Sequence, residues 1–222
     1  MYNLTRTYYA TFTHIKTLYY TFSETIEEEY VVIGDLLLIK GIETRIPGIL
    51  DKTIKAIEYA EKHIPFSGFI VRSNVSTIVD FAKLFVDGFL PSFDYGGPAQ
   101  VLSWISPTDG IVDSSLEGLT YISGTCILMS KHFLRHLLHH KSCVNYSLID
   151  DVSLGVFFKE ASSHMTLHAI GSDINKGNAY FKRVSDDMPE YDTAVLFYRH
   201  RSHDRMTDVH HMATVLNMLM HA

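Results

Sequence analysis

The sequence predicts a single α/β domain with a mixed, mostly parallel central sheet flanked by helices. Short β-branched and aromatic runs alternate along the chain with segments whose apolar residues recur every three or four positions. The length of 222 residues is enough for one sizeable core, and a hydrophobic fraction of 46% with a charged fraction of 20% is typical of a globular chain. We therefore expect one domain over residues 1–222.

The first half of the chain predicts a short helix or extended arm at residues 2–13 and a strand at residues 15–22. Two strands follow on either side of a turn at Gly34 and Asp35. Pro47 begins the clearest helix, because the apolar residues from Ile49 to Ala60 share one face. Residues 68–74 predict a strand ending in small polar residues, after which a helix is expected to continue to Gly88. The tyrosines at positions 8, 9, 19 and 20 are interpreted as packing residues.

The second half begins with a loop rich in glycine and proline at residues 89–100, strand-like residues 101–105 and a turn at 107–110. Residues 121–129 predict a strand and 130–140 a helix. A further helix over residues 150–161 carries two aspartates in its first turn, where the helix dipole favours acidic groups. Residues 171–192 are expected to be exposed loops. The basic, histidine-rich run YRHRSHDR then leads into a final apolar helix ending near Met220.

Charge and cysteine content exclude several classes of protein. A net charge of −6 argues against nucleic-acid binding, which requires a cationic face. Cys126 and Cys143 are the only thiols, and their apolar or mixed surroundings predict reduced core residues and a cytoplasmic location.

The thirteen histidines do not show the spacing of a zinc site with cysteine partners. No signal-peptide pattern and no membrane-spanning segment is found, so we expect no membrane partner.

Polar side chains cluster where the strand at residues 68–74 ends. Ligands bind at the C-terminal ends of strands in open α/β sheets, so Arg72, Ser73, Asn74 and Ser76 are candidate ligand contacts. Asn74 and Ser76 can hydrogen-bond to a ribose or a sugar hydroxyl, and ordinary turn chemistry is the alternative interpretation for both.

The order of the motifs resembles that of the β-1,3-galactosyltransferase and fringe family of glycosyltransferases. The resemblance spans roughly residues 30–165. It rests on the segments 48–63 and 66–81, on Tyr121-Ile-Ser123-Gly124 with the apolar strand and helix after it, and on Asp150-Asp151-Val152 followed by Gly155. It implies a GT-A-like fold that binds a nucleotide-sugar donor and a carbohydrate or glycoprotein acceptor.

The sequence departs from the family pattern at two places. The acidic triplet that would hold a divalent ion falls on Asn74, Val75 and Ser76, so we expect no cofactor, or at most a weakly bound Mn²⁺ or Mg²⁺. The first strand of the fold has no clear counterpart, so it is expected before residue 1 or later in the chain. A narrower resemblance is to short soluble sugar-transferase-like proteins of large DNA viruses, in which Arg-(Ser/Thr)-Asn-x-Ser replaces the acidic motif. That resemblance implies a host-cytoplasmic location.

Sugar transfer from a nucleotide diphosphate requires a base and stabilisation of the leaving diphosphate. By resemblance, Asp151 is the candidate base and Asp150 its alternative, with simple helix capping as the competing interpretation of both. Arginine forks match phosphate oxygens in a bidentate geometry. The candidate diphosphate contacts are therefore Arg72, His200, Arg201 and Arg205. A solvated basic tail is the competing interpretation of the last three.

Candidate acceptor contacts lie in three segments. Tyr95, Gly96 and Gly97 form a stretch whose glycines allow close backbone approach, although a plain loop is the alternative. Trp104 can stack on a sugar face or lie in the core. Ser123 and Gly124 join these candidates through the resemblance.

The predicted function is glycosyl transfer, inverting and independent of metal. The alternative is a nucleotide-sugar or glycan-binding module that has lost catalysis together with the acidic triplet. A serine hydrolase is disfavoured, because the chain contains no Gly-x-Ser-x-Gly elbow. The sequence identifies neither the donor nor the acceptor.

Overall fold

The computed structural model describes residues 1–86, 93–161, 163–170, 181–184 and 195–221. Its helices are α1 Tyr2–Tyr9, α2 Gly48–His63, α3 Phe81–Val86, α4 Lys131–His139, α5 Asp150–Ala161 and α6 Arg205–His221. Its strands are β1 Tyr19–Ser23, β2 Tyr30–Ile33, β3 Leu36–Lys40, β4 Phe69–Ser73, β5 Thr77–Val79, β6 Tyr95–Gly97, β7 Ala99–Val101, β8 Thr120–Ile122, β9 Cys126–Ser130, β10 Leu167–Ala169, β11 Phe181–Val184 and β12 Phe197–His200. Short 3-10 helices lie at Pro107–Asp109, Ser114–Leu116 and Lys141–Cys143.

The described strands form four sheets, in the orders β1-β3-β2, β10-β6-β9-β4, β11-β12-β5 and β7-β8. The chain is therefore α/β with mixed sheets. The predicted predominance of parallel pairing is wrong for these residues, since three strand pairs are parallel and five are antiparallel. The two-residue turn between β2 and β3 requires antiparallel strands, and β9 runs opposite to both of its neighbours.

Helix α2 packs through the apolar face that the sequence predicts. Leu50, Ile54 and Ile57 are buried in one core with Ile127 and Met129 of β9. Each such side chain contributes about 1.5–3 kcal/mol when fully buried. The N–H of Gly48 at the start of the helix donates to Thr44 Oγ1 at 3.0 Å. Burial of this face therefore fixes α2 in a core that also contains side chains of β9 and α5, while Ala56 packs with β1 and β3.

A second core joins the two ends of the described chain. Tyr8 and Tyr9 of α1 pack with Phe81 of α3 and with Val215 and Leu216 of α6. The packing interpretation of Tyr8 and Tyr9 is confirmed. The hydroxyl of Tyr9 also donates to the carbonyl of Thr77 at 3.3 Å and accepts from the N–H of Val79 at 3.1 Å. This core includes residues of β5 and β12.

Several predicted boundaries are corrected by long-range pairing. Residues 77–79 form β5 instead of helix, because these buried residues pair with β12. The single strand predicted at 121–129 is two strands, β8 and β9, separated by a turn. Of the strand-like residues 101–105, only Val101 belongs to a strand. Within the loop predicted at residues 171–192, residues 181–184 form β11, and the other residues of that loop lie outside the described ranges. The predicted helix end at Gly88 also lies outside them.

Both cysteines are free thiols, as the sequence predicts. Cys126 is buried, and this burial raises the pKa of its thiol. Cys143 is exposed, so the expectation of a core position is wrong for this residue. Over the described ranges, none of the helices is both long and apolar enough to span a membrane.

Candidate active site

The candidate site lies where β4 ends. Because β4 and β9 are antiparallel, Ser73 lies opposite Cys126, and the turn at residues 123–125 comes beside Asn74. The N–H of Asn74 points to the carbonyl of Thr125 at 3.4 Å. Helix α5 begins at the same turn, since the N–H of Gly124 donates to Asp151 Oδ2 at 2.9 Å. Three segments far apart in sequence therefore meet at this strand end.

Arg72 is buried, and its guanidinium is already engaged by neighbours in the protein. It forms an ion pair with Asp150, donates from Nη1 to the Gly124 carbonyl at 2.5 Å and points Nε at the Tyr20 hydroxyl at 3.4 Å. Burial is the largest single influence and opposes its charge, but Asp150, Tyr20 and Asp151 together outweigh burial and raise the pKa of Arg72. Breaking such a buried pair costs about 3–5 kcal/mol, because one charge is left uncompensated. Arg72 thus positions Asp150 and the turn, and the predicted contact with a diphosphate is not supported by its geometry.

Asp151 is the partly exposed carboxylate of the acidic pair. Its Oδ1 accepts from the N–H of Val152 at 2.9 Å, and its Oδ2 accepts from Gly124. Burial, followed by the adjacent charge of Asp150, raises the pKa of Asp151 to about 6. A carboxylate with a pKa close to neutral is a better proton acceptor than an ordinary aspartate. Because Asp150 is buried and paired with Arg72, Asp151 is the carboxylate available as a base.

The capping interpretation of the two aspartates is not supported by their contacts. A capping side chain accepts the N–H of a residue two or three positions further along the helix. Within the described hydrogen bonds, Asp150 instead binds Arg72, and Asp151 binds Val152 and Gly124. The pair is therefore held largely by Arg72 and Gly124, which are far from it in sequence.

Two glycines allow α5 to approach the turn and β8 closely. A Cβ at position 124 would lie 3.0 Å from Arg72 Nη1 and 3.3 Å from Asp151 Oδ2. A Cβ at Gly155 would lie 2.5 Å from the Cβ of Tyr121, which no real contact allows. Close packing within the site therefore explains why positions 124 and 155 are glycines.

Ser123 shapes the turn from inside. Its hydroxyl donates to Thr125 Oγ1 at 3.0 Å and accepts from the Thr125 N–H at 3.3 Å, while its own N–H donates to the Pro98 carbonyl at 2.8 Å. Ser123 is buried. These contacts make it a support for the turn, and the predicted acceptor contact has no support from its position.

Trp104 lies at the surface, which decides against a core position. Its side chain is 42% exposed, and its ring centroid lies 6.2 Å from that of Tyr121 in an edge-to-face arrangement. Burial raises the pKa of Tyr121, and the charge of Asp151 adds to this shift. Exposed Ile105 and Val112 extend the apolar surface around Trp104.

Tyr95, Gly96 and Gly97 form the buried strand β6, so their predicted acceptor contact is not supported. The ring of Tyr95 stacks on Phe133 with centroids 5.0 Å apart. A Cβ at Gly96 would lie 2.6 Å from Phe93, and one at Gly97, which has φ +139°, would lie 2.3 Å from the Cys126 carbonyl. Sheet packing therefore accounts for all three residues.

Strand β12 brings the basic tail to the same strand end. It pairs with β5 so that Arg199 lies opposite Thr77, and the N–H of His200 donates to the Ser76 carbonyl at 2.9 Å. The guanidinium of Arg199 donates to Ser76 Oγ and approaches Thr77 Oγ1 at 3.5 Å. Arg199 and His200 of the tail therefore contact Ser76. A role of the tail in donor binding requires this proximity to the end of β4.

The predicted tail residues differ in what they can contact. His200 is completely buried, and burial lowers its pKa to about 4, so it is a neutral core residue and the predicted ligand contact is not supported. The side chain of Arg205 is 73% exposed and pairs with Asp208 at 3.1 Å. Arg201 is exposed.

Sequence reasoning missed Arg199 and the polar role of Tyr20. In a strand, residues two apart share a face, so Arg199 and Arg201 belong together while His200 points the other way. This alternation in the run YRHR is the signal that identifies Arg199. No sequence signal separates Tyr20 from the other tyrosines interpreted as packing, and its hydroxyl contacts Thr53 at 3.1 Å as well as Arg72.

Ser73 and Asn74 are the remaining predicted donor contacts, and both are partly exposed at the end of β4. Ser76 is buried, and its hydroxyl accepts a hydrogen bond from Arg199. No three His, Cys, Asp or Glu side chains in the described ranges are arranged to hold a metal ion. Independence of metal stays a prediction.

A cavity of about 740 Å³ lies at the other end of β4. Its lining includes Phe69, Ser130 and Asp94, whereas Asp151 and Arg199 do not border it. Phe69 and Ser73 are four residues apart along the strand, which corresponds to roughly 13 Å. We place the candidate site at the C-terminal end of β4, because the buried ion pair, the shifted carboxylate and the cationic tail all converge there.

No protein-family model matches the sequence, and no curated protein matches it. The likeness to sugar transferases therefore rests on motif order.

Proposed function

We propose that the chain is a GT-A-type glycosyltransferase that transfers a sugar from a nucleotide-diphosphate donor, with Asp151 as the base. The observation that supports this is the placement of Asp151. It is a partly exposed carboxylate, held by the N–H of Gly124 at 2.9 Å, beside a buried Arg72–Asp150 pair at the end of β4. Fixed geometry at a strand end and a pKa of about 6 are what proton abstraction from a hydroxyl requires.

In the proposed reaction, Asp151 takes the proton of an acceptor hydroxyl as its oxygen attacks the anomeric carbon. The bond between that carbon and the diphosphate oxygen breaks, and its electron pair leaves with the nucleoside diphosphate. The proton stays on Asp151 until solvent removes it. A single displacement of this kind inverts the anomeric configuration.

Donor and acceptor approach from two sides of the turn. Ser73 and Asn74, partly exposed, face the donor with groups that hydrogen-bond to sugar or ribose hydroxyls. Trp104 supplies an exposed aromatic face on which an acceptor sugar stacks. The acceptor is a carbohydrate or a glycoprotein. The two free thiols are compatible with action in the cytoplasm.

The test is the replacement Asp151→Asn. An amide oxygen still accepts from Gly124 but takes no proton, so we expect turnover to fall about 10²- to 10⁴-fold, the usual contribution of a general base. Turnover is measured as nucleoside diphosphate released from a panel of sugar donors, with EDTA present. Donor binding is followed by the shift in Tm and is expected to persist. The matched control is Glu160→Gln, an exposed residue at the other end of α5, which should leave turnover unchanged.

The alternative is a nucleotide-sugar-binding module without catalysis, which the absence of carboxylates at Asn74, Val75 and Ser76 favours. Donors that raise Tm without turnover, whatever the acceptor, would establish that alternative. A Tm that no nucleotide sugar changes would contradict both functions.

A further inference from the structure

Arg199 makes its contact at one of the positions where the resemblance places metal-binding carboxylates. Those positions are Asn74, Val75 and Ser76, and the guanidinium of Arg199 donates to the hydroxyl of Ser76. A carboxylate at position 76 would neutralise Arg199. The neutral hydroxyl of serine holds the guanidinium and contributes no negative charge.

Cationic charge accumulates around this contact. Burial, followed by the charges of Arg201, Arg205 and Arg72, lowers the pKa of Arg199 to about 10. Arg72 is neutralised by Asp150, and Arg205 is paired with Asp208. Neither Arg199 nor Arg201 forms an ion pair with any residue that the structure describes. Within the described ranges, the strand end thus carries two cations that are not in an ion pair, and Asp208 acts on Arg199 only at longer range.

We propose that Arg199, assisted by Arg201 immediately after β12, binds the diphosphate of the donor in place of a metal ion. This inference rests on the proposed function and deepens it, because it names the group that stabilises the leaving diphosphate. Arginine suits this role, since its planar fork donates two parallel hydrogen bonds to phosphate oxygens. A guanidinium held in a half-buried position also interacts with an anion more strongly than one in open solvent.

The position of Arg199 relative to Asp151 suits a donor that spans the turn. On one side of the turn, Ser76 holds Arg199. On the other side, the N–H of Asn74 points to Thr125, whose neighbour Gly124 holds Asp151. Arg199 and Asp151 are therefore held by neighbouring segments at the end of β4, as a donor diphosphate and the base of one reaction require.

The experiment measures binding of inorganic pyrophosphate by isothermal titration calorimetry, with EDTA present. We expect wild-type protein to bind and Arg199→Gln to bind about ten- to a hundredfold more weakly, the loss of a charge-assisted hydrogen bond. Arg199→Lys keeps the positive charge but lacks the planar guanidinium, so its affinity for pyrophosphate should lie between those of wild type and Arg199→Gln. Ser76→Asp should abolish binding by neutralising Arg199. Arg135→Gln is the control, because Arg135 is exposed on α4 and pairs with Glu61.

Circular dichroism of each variant separates a folding defect from a binding defect. If Arg199→Gln does not fold, Arg199→Lys and Ser76→Asp decide the question. The proposal is overturned if wild-type protein binds no pyrophosphate in EDTA, if binding requires Mn²⁺ or Mg²⁺, or if the folded Arg199 variants bind as tightly as wild type. Sugar transfer with pyrophosphate affinity independent of Arg199 would contradict this inference alone. Arg199-dependent binding without transfer would contradict the proposed activity alone.

Discussion

At the scale of single residues, the ionised form of Asp151 opposes folding. Its pKa of about 6 lies above the usual 3.8, chiefly because of burial and then the charge of Asp150. Between these two pH values the folded state binds more protons than the unfolded state. The free energy of unfolding therefore falls as pH rises from about 4 to about 6, and the loss persists at pH 7.

Replacing Asp151 by asparagine should remove this dependence of stability on pH together with turnover. The amide oxygen accepts only one of the two backbone N–H groups that bind Asp151, which costs about 1 kcal/mol at every pH. Relative to wild type, we therefore expect the free energy of unfolding of the variant to be about 1–2 kcal/mol higher at pH 7 than at pH 4, less than the full pKa difference implies because the side chain is partly exposed. Urea denaturation at both pH values measures this, and an equal difference at pH 7 and pH 4 would contradict a raised pKa for Asp151.

Among secondary-structure elements, the contact of α5 with β8 determines where the acidic pair stands. Gly155 lies within α5, where alanine is normally preferred by about 1 kcal/mol. Here the added Cβ would meet the Cβ of Tyr121 at 2.5 Å. Tyr121 is buried and Asp151 lies in the same helix as Gly155, so a shift of α5 away from β8 would also move Asp151.

We therefore expect Gly155→Ala to destabilise the protein by about 1–3 kcal/mol, the usual effect of overpacking. Gly68→Ala is the control, because a Cβ at that position meets no atom within 4 Å. That variant should be neutral or slightly stabilising. Urea denaturation of both proteins measures the difference, and a Gly155→Ala variant as stable as wild type would show that α5 does not pack as described.

For the whole molecule, His200 makes stability depend on pH in the opposite direction to Asp151. Burial lowers its pKa from 6.5 to about 4, and its ring nitrogens have no hydrogen-bond partner among the described residues. The unfolded state therefore binds the extra proton between these pH values. Stability is fully present above pH 6.5 and falls as pH drops to about 4, by roughly 3 kcal/mol at most.

Substitution of His200 by leucine removes this titration without breaking a hydrogen bond. We expect the decrease in Tm between pH 7 and pH 4.5 to become smaller in His200→Leu, since a core residue no longer has to acquire charge. Thermal unfolding followed by circular dichroism at several pH values measures it. An unchanged pH profile would show that other groups control acid stability.

The elements that the sequence predicted well depend on local patterns. The apolar face of α2 and the strand–turn–strand at residues 30–40 follow from residues adjacent in sequence, so the fold class and most helices could be read directly. Strand β5 could not, because its conformation depends on pairing with β12, more than a hundred residues further along the chain. The directions of most strand pairs were hidden for the same reason.

The candidate site divides in the same way. The sequence by itself determined the acidic pair at the start of α5 and the absence of carboxylates at Asn74, Val75 and Ser76, because these are matters of residue identity and order. Tertiary structure alone decided that Arg72 neutralises Asp150, that Asp151 stays partly exposed, and that Arg199 meets Ser76. Burial and pairing depend on contacts between distant segments, and a side chain's charge and availability follow from them.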